Sequence, residues 1–193
     1  MLTLWGNDEA FIEKYLAETP GYYTTGDAGV MDENGYLHIM TRVDDVINTA
    51  GHRISTGRLE EVVNDHDNVV ESAVIGYNDE VRGECALAYV ILKGNGVEDL
   101  NDQEIETLKK EINGKVRQDV GAFAHLIGVI FMEKLPKTRS GKILRGTIRS
   151  IVNGKEYKVP ATIDDMNTID SIKRESSSWL SALSLSRNPT PKL

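Results

Sequence analysis

The stretch NDQEIETLKKEINGKVRQDVG, residues 101–121, carries the clearest structural pattern in the chain. Its apolar residues recur at spacings of three and four, as on one face of an α-helix. Asn101 can cap the first turn, and Glu104 stands three residues later, as in a capping box. Gly121 is suited to end the helix. The stretch therefore predicts a long amphipathic helix. Its inward positions are Ile105, Leu108, Ile112, Val116 and Val120.

Runs of strand character lie on both sides of this helix. Val69–Tyr77 and Cys85–Lys93 precede it, and Leu126–Met132 follows it. Before them, Ser55-Thr56-Gly57 can cap a short helix that turns its apolar residues inward. This alternation of strands and helices, from about residue 45 to about residue 151, predicts a compact α+β domain.

The two ends of the chain have a different character. The first 43 residues predict a weak helix over 7–16, a strand-forming run at Tyr22–Thr25, and a hairpin at Asp32-Glu-Asn-Gly35, whose Asn-Gly pair favours a tight turn. These strands are too few for a full sheet. From Pro160 onward the periodicity is lost. We expect a loosely docked helix over 175–186 and a frayed end at Asn188–Pro191.

Composition excludes several classes of protein. The longest apolar run has eight residues, whereas a membrane-spanning helix needs about 20. The single cysteine, Cys85, cannot form an internal disulfide, and its apolar neighbours favour a buried packing role. Of the net charge of −8, the segment Lys134–Lys158 contributes +7, which leaves −15 for the remainder. That asymmetry indicates a local anion site and argues against a nucleic-acid surface.

The basic segment contains the most informative motif, Pro136-Lys-Thr-Arg-Ser-Gly-Lys142. Lys142 follows a Ser-Gly turn, so its flexible ammonium can be presented to a phosphate or a carboxylate. The motif lacks the preceding glycine and the following Ser or Thr of a phosphate-cradling loop. A solvated basic loop before a helix is the competing interpretation.

Three further stretches carry candidate binding residues. Thr24-Thr-Gly-Asp27 ends with a carboxylate that can accept bonds from ribose hydroxyls, although a plain turn aspartate fits equally well. Arg42-Val-Asp-Asp45 can be an exposed ion pair, which usually contributes little to stability. Gly51-His-Arg53 can be an ordinary turn.

Together these stretches resemble the AMP-forming acyl-CoA synthetase family, in its acetate and propionate branch, over roughly residues 4–165. They occur in the family's order and spacing. The stretch Ile151–Lys158 is most similar to propionate-preferring members. The matching elements are Tyr-Tyr-Thr-Thr-Gly-Asp27, Asp32-Glu-Asn-Gly-Tyr36, Arg42-Val-Asp-Asp45, Ala50-Gly-His-Arg53 and Leu135-Pro-Lys-Thr-Arg-Ser-Gly-Lys-Ile143.

The resemblance implies a role for each matched residue in the first half-reaction. Lys142 matches the catalytic lysine of adenylation. Asp27 matches the aspartate that holds the ribose hydroxyls of ATP and of acyl-AMP. Arg42 matches an arginine at the ribose and phosphates. Asp44 matches the hinge about which the C-terminal domain turns between the two half-reactions.

The second half-reaction involves three more matched residues. Gly51 matches a glycine lining the pantetheine tunnel. Arg53 matches an arginine directed to phosphate in the thioester-forming arrangement, and Arg117 aligns near the nucleotide of CoA. In some short-chain relatives a metal lies along the helix near His66; we interpret His66 as a structural residue and assign no metal ligand.

The resemblance also implies the domain plan and the partners. Residues 1–43 are the end of a large N-terminal adenylation domain, 44–159 are the small mobile C-terminal lid domain, and 160–193 are a partly disordered tail. The expected ligands are a short-chain carboxylate, ATP, CoA and Mg²⁺, and the expected partner is the N-terminal domain that holds the phosphate loop and the acyl pocket. We expect an intracellular protein of the mitochondrial matrix or cytoplasm, inactive without that domain.

Two other functions remain open on the sequence alone. A non-catalytic regulatory or CoA-binding domain can use the same fold, although an adaptor has no need for Lys142, Asp27 and Arg42 together. A nucleic-acid module built on Lys134–Lys158 is disfavoured by the acidic remainder and by the lack of clustered aromatic residues there. The acyl chain length is not determined, because the pocket lies outside this sequence.

Overall fold

The computed structural model describes residues 3–49, 51–80 and 82–187. The chain divides into two compact units, the first ending at Asp45 and the second beginning at Val46. The domain boundary that the resemblance implies, between residues 43 and 44, stays a prediction.

The first unit contains helix α1, Asp8–Tyr15, and the strands β1, Asp27–Met31, and β2, Leu37–Arg42. The two strands are antiparallel. The Asp32 carboxylate accepts the backbone N–H groups of Asn34 and Tyr36, and Gly35 takes a φ of +85°. The hairpin predicted from the Asn-Gly pair is therefore confirmed.

The run Tyr22–Thr25 was predicted as a strand, and this was wrong. The Tyr23 ring stacks on Tyr15 at 4.9 Å, and the Thr24 N–H donates to the Tyr15 carbonyl at 2.8 Å. The Tyr23 side chain thus packs against α1. Among the described residues this segment pairs with no strand, and β1 begins only at Asp27. High strand propensity reflects packing against strand neighbours, which are absent here.

The second unit is built on a five-stranded sheet. Its strands are β3, Val46–Thr49; β4, His52–Ser55; β5, Val69–Asp79; β6, Gly83–Leu92; and β7, Leu126–Phe131. The order β4-β3-β6-β5 is antiparallel, and β7 pairs with β6 in parallel. β6 lies inside the sheet and is buried along most of its length, as its apolar run requires.

Helices cover both faces of this sheet. On one face lie α2, Thr56–Asn64, and α3, Asp102–Asp119, whose Leu59, Val63 and Ile112 are fully buried. The capping box of Asn101 and Glu104 is present. On the other face lie α4, Arg145–Val152, and α5, Asn167–Arg187, which share a second core. The prediction of an α+β domain is confirmed.

Helix α5 corrects the expectation for the end of the chain. It extends over most of the range 160–193, where we expected a partly disordered tail and a loosely docked helix. Ile169 and Ile172 are buried, and the Ser176 hydroxyl bonds to the buried Tyr89 hydroxyl at 2.7 Å. The frayed end predicted at Asn188–Pro191 lies outside the described residues.

Small residues allow α5 to approach the sheet closely. A Cβ at Gly128 of β7 would overlap the Trp179 indole, so the absence of a side chain there makes room for this ring. At the far end of the helix, Arg187 pairs with the buried Asp79 carboxylate of β5. The Ser-rich composition suggested a loosely docked helix, but α5 is anchored at several points along its length.

Side chains cover the outer edge of β5. The Val74 N–H donates to the Glu60 carboxylate of α2 at 2.8 Å. The Asn153 amide, at the end of α4, donates to the Gly76 carbonyl at 3.0 Å and accepts the Asn78 N–H at 2.7 Å. These contacts satisfy backbone groups that have no strand partner on that side.

Candidate functional site

Lys142 lies in a closed loop between β7 and α4. Lys137 and Ile143 form an antiparallel bridge across the loop. The Thr138 N–H donates to the Lys142 carbonyl at 2.9 Å, and the Thr138 hydroxyl accepts the Lys142 N–H at 3.1 Å. Gly141 takes a φ of +83°, in the left-handed region that favours glycine. The motif thus forms a hairpin-like turn with Lys142 on its return side.

The basic side chains of this segment differ in whether they form ion pairs. Lys137 pairs with Glu71 at 2.6 Å, Arg145 with Glu60 at 2.7 Å, and Arg149 with Glu84. Lys142 is exposed, and within the described parts of the chain its ammonium makes no ion pair. This lysine is therefore held by its backbone and presented to solvent, ready for an external anion. A solvated loop fits the same exposure.

Asp27 and Arg42 are brought together by the β1–β2 hairpin. They occupy paired positions, and their closest charged atoms, Oδ1 and Nη1, lie 3.6 Å apart. Arg42 also donates to the Thr25 carbonyl at 3.2 Å. Gly26 has a φ of +75°, and a Cβ there would lie 3.0 Å from the guanidinium. The positive φ favours glycine in this turn, and a Cβ there would crowd the end of the Arg42 side chain.

Both charged groups of this pair are partly exposed. Such a pair adds little to stability, so a stability role does not explain the arrangement. A carboxylate and a guanidinium side by side can bind the hydroxyl and phosphate groups of one nucleotide.

Asp44 lies in a short 3₁₀ turn, Val43–Asp45, between β2 and β3. The division between the two units follows directly after it. The position is that of a linker, and its role as the hinge stays a prediction.

Gly51 and Arg53 lie on the β3–β4 hairpin. Arg53 pairs in register with Asn48 and is exposed, and Gly51 has a φ of +83° in the turn. A larger residue at Gly51 would be strained whatever space surrounds it. The His52 ring stacks on Phe123 with centroids 4.4 Å apart, which holds this turn against the loop between α3 and β7.

Arg117 lies in the last turn of α3, shortly before that same loop. Burial lowers the pKa of His125, and the positive charges of Arg82 and Arg117 lower it further. Two arginines therefore lie close enough to act on one imidazole, and the Gly51 turn contacts this loop through Phe123. The roles of Gly51 and Arg117 as CoA contacts stay predictions.

Sequence reasoning missed Arg82. It stands in the β5–β6 turn, remote in sequence from Arg117, and only the sheet topology places both near His125. The only sequence signal was an arginine in a turn, which is common on protein surfaces.

No group of three or more His, Cys, Asp or Glu side chains that could hold a metal occurs among residues 3–49, 51–80 and 82–187. The His66 imidazole accepts the Asn68 N–H at 3.3 Å and lies 3.7 Å from the Glu111 carboxylate. These contacts fit a structural histidine. Within the same ranges, no helix has the length and apolarity needed to cross a bilayer.

The chain is similar to known proteins over most of its length. Residues 58–142 match the AMP-binding enzyme C-terminal domain. The mitochondrial acyl-CoA synthetase short-chain family member 3 of Mus musculus is 51% identical over 162 residues, which cover 84% of this chain and 23% of that protein. Acetyl-coenzyme A synthetase 1 of Kluyveromyces lactis is 42% identical over 79% of this chain and 22% of its own length.

Solved structures agree with the fold. An ATP-bound RpMatB-BxBclM chimera, B1, superposes with a TM-score of 0.63 at 30% identity, over 77% of this chain and 28% of that one. Acetoacetyl-CoA synthetase from Streptomyces lividans gives a TM-score of 0.73 over 90% of this chain and 25% of that one, at 20% identity, which supports the fold alone.

The chain spans about a quarter of the length of the curated relatives it matches. Its α+β domain has the fold of the C-terminal domain of adenylate-forming enzymes. Residues 58–142 therefore carry an AMP-binding enzyme C-terminal domain, and the chain is similar to the C-terminal portion of short-chain acyl-CoA synthetases.

Proposed function

We propose that this chain is the C-terminal part of an enzyme that joins a short-chain carboxylate to CoA with ATP, through an acyl-adenylate. Propionate is favoured over acetate by the likeness of Ile151–Lys158 to propionate-preferring members. The partner that completes the site is an N-terminal adenylation domain. We place the enzyme inside the cell, in the mitochondrial matrix or the cytoplasm.

The observation that carries this proposal is the presentation of Lys142. In adenylation the carboxylate oxygen attacks the α-phosphorus of ATP and pyrophosphate leaves, so two anions must approach each other. An ammonium held against both stabilises the charge that develops in the transition state. Lys142 is fixed through its backbone, and its side chain is exposed, which suits a group that meets its ligand only when the domains close.

Asp27 and Arg42 are suited to bind the nucleotide. Their pairing leaves carboxylate oxygens for the ribose hydroxyls and a guanidinium for phosphate. Mg²⁺, which the family uses with ATP, neutralises phosphate charge when bound. The described residues offer it no cluster of ligands, so we assign it to the ATP phosphates and not to this chain.

Thioester formation needs a different surface. Gly51 and Arg117 are proposed to line the path of CoA, and we add Arg82, because burial and the charges of Arg82 and Arg117 lower the pKa of His125. Arg53 is proposed to contact the nucleotide phosphate in this arrangement. For the CoA thiol to reach the acyl-adenylate carbonyl, Lys142 must withdraw. A turn at Asp44 lets the second unit present each surface in succession.

We expect CoA to raise the pKa of His125. In the free chain, burial and the charges of Arg82 and Arg117 lower this pKa. A phosphate bound to those arginines offsets their charge and favours the protonated imidazole. Titration of the His125 ring signals by NMR, with and without millimolar CoA, measures the change. Arg117→Gln should raise the pKa in free protein and reduce the further rise with CoA. An unchanged pKa at saturating CoA would contradict the assignment.

The chain by itself should produce no AMP from propionate or acetate. The surfaces that position the carboxylate and the α-phosphate are proposed to lie in the missing domain, and positioning supplies much of the catalysis. The measurement is AMP release on incubation with ATP, Mg²⁺, CoA and propionate. Joining the chain to the N-terminal region of a short-chain synthetase should restore activity. AMP release by the chain alone that is lost in Lys142→Ala would show it to be a complete catalyst.

A further inference from the structure

One face of α4 carries three polar side chains at intervals of four residues, Arg145, Arg149 and Asn153. In a helix this spacing places all three along one side. Arg145 pairs with Glu60 and Arg149 with Glu84. Asn153 bonds to the edge of β5 through the contacts described above. The helix is therefore fixed at its start, its middle and its end.

The contact at the start of the helix has the most specific geometry. Arg145 Nε lies 2.7 Å from Glu60 Oε1, and its Nη2 lies 2.7 Å from Oε2. A guanidinium and a carboxylate joined by two parallel bonds have little freedom of orientation. Glu60 is 8% exposed, and its Oε1 also accepts the Val74 N–H. Glu60 thus links α2, β5 and α4.

This contact lies three residues from Lys142. The Leu144 N–H donates to the Pro136 carbonyl at 2.9 Å, which closes the lysine loop directly before Arg145. At the other side of the loop, Lys137 pairs with Glu71 of β5. The turn that carries Lys142 is therefore held between two ion pairs, one to β5 and one to α2.

We propose that Glu60 is a positioning residue for Lys142, acting through Arg145. This inference rests on the proposed adenylation role of Lys142. Glu60 is buried beneath α4 and acts without touching substrate, by fixing the start of the helix and hence the direction in which the loop presents the ammonium. A buried ion pair is weak support for a role in stability, whereas fixed geometry is what a catalytic cation requires.

The test uses a full-length short-chain synthetase that carries this chain as its C-terminal part. Glu60→Gln keeps an acceptor for the Val74 N–H but removes the charge that holds Arg145. We expect acyl-AMP formation to fall roughly 10- to 100-fold, the scale for a misplacement of about 1 Å. Thioester formation from supplied acyl-AMP should stay within about twofold, because Lys142 takes no part in it. Amide exchange over residues 138–148 should accelerate.

Glu61→Gln is the matched control. Glu61 is the next residue of α2, is exposed, and pairs only with Arg58 among the described residues. It should leave both half-reactions unchanged. Arg145→Lys keeps the charge but loses the two-bond geometry, so it should lower acyl-AMP formation by an intermediate factor. If Glu60→Gln fails to fold, Arg145→Lys decides the matter.

Lys142→Ala, assayed in parallel, distinguishes a failure of the positioning role from a failure of the proposed function. If that variant loses acyl-AMP formation selectively while Glu60→Gln and Arg145→Lys behave as the parent, the positioning role is excluded and the proposed function stands. Equal losses in both half-reactions for Glu60→Gln would reduce its role to stability and overturn the inference. If Lys142→Ala shows no selective loss, the proposed function fails, and the inference with it.

Discussion

Replacing Lys142 by alanine in a full-length synthetase that carries this chain should slow acyl-AMP formation by roughly 10²–10³-fold. This is the scale for removing one group that stabilises transition-state charge. Thioester formation from supplied acyl-AMP should be unaffected, since we propose that the lysine withdraws in that step. Single-turnover assays of the two half-reactions measure both rates.

Lys134→Ala is the matched control for that experiment. Lys134 belongs to the same basic segment and is also exposed, but it precedes the closed loop. Lys134→Ala lowers the net charge as much as Lys142→Ala does. It should leave the rates of both half-reactions near those of the parent. A similar loss in Lys134→Ala would mean that the general charge of the segment matters, and an equal loss in both half-reactions of Lys142→Ala would refute the divided role.

Asp44→Pro should impair one half-reaction on the order of 10²-fold and largely spare the other. Proline fixes φ and removes an N–H, so it restricts rotation in the turn between the two units. One arrangement of the domains would then be favoured over the other. The same pair of assays measures which half-reaction is lost.

Asp44→Ala distinguishes the backbone from the side chain. Alanine leaves the backbone free to rotate, so overall turnover should stay within a few-fold of the parent. Near-normal turnover in Asp44→Pro would place the hinge elsewhere. A loss in Asp44→Ala as large as in the proline variant would indicate that the carboxylate itself is needed.

The elements predicted correctly are those whose sequence pattern lies within the element itself. The long helix α3 follows from its periodicity and its capping box, and the first hairpin follows from one Asn-Gly pair. The strands β5, β6 and β7 were predicted within a few residues of their ends. Lys142 was singled out because a glycine-preceded lysine in a basic loop has a direct chemical use, and its catalytic role stays a prediction. In each case the pattern and its physical cause lie within about 20 residues.

Features that depend on contacts distant in sequence were missed. Helix α5 has a weak apolar pattern diluted by serine, and its anchoring depends on Gly128 and Asp79 in distant strands. Arg82 reaches its place near Arg117 through the sheet order alone. The pair of Glu60 and Arg145 joins residues 85 positions apart. Single-residue propensities contain no information about such pairs.

The covered edge of β5 has a consequence for the behaviour of the protein in a crowded cell. An open strand edge is a template on which another chain can add a strand and begin to aggregate. Here the N–H groups of Val74 and Asn78 and the carbonyl of Gly76 are already bonded within their own domain. With these groups bonded to its own side chains, this part of the edge offers no such template to another chain.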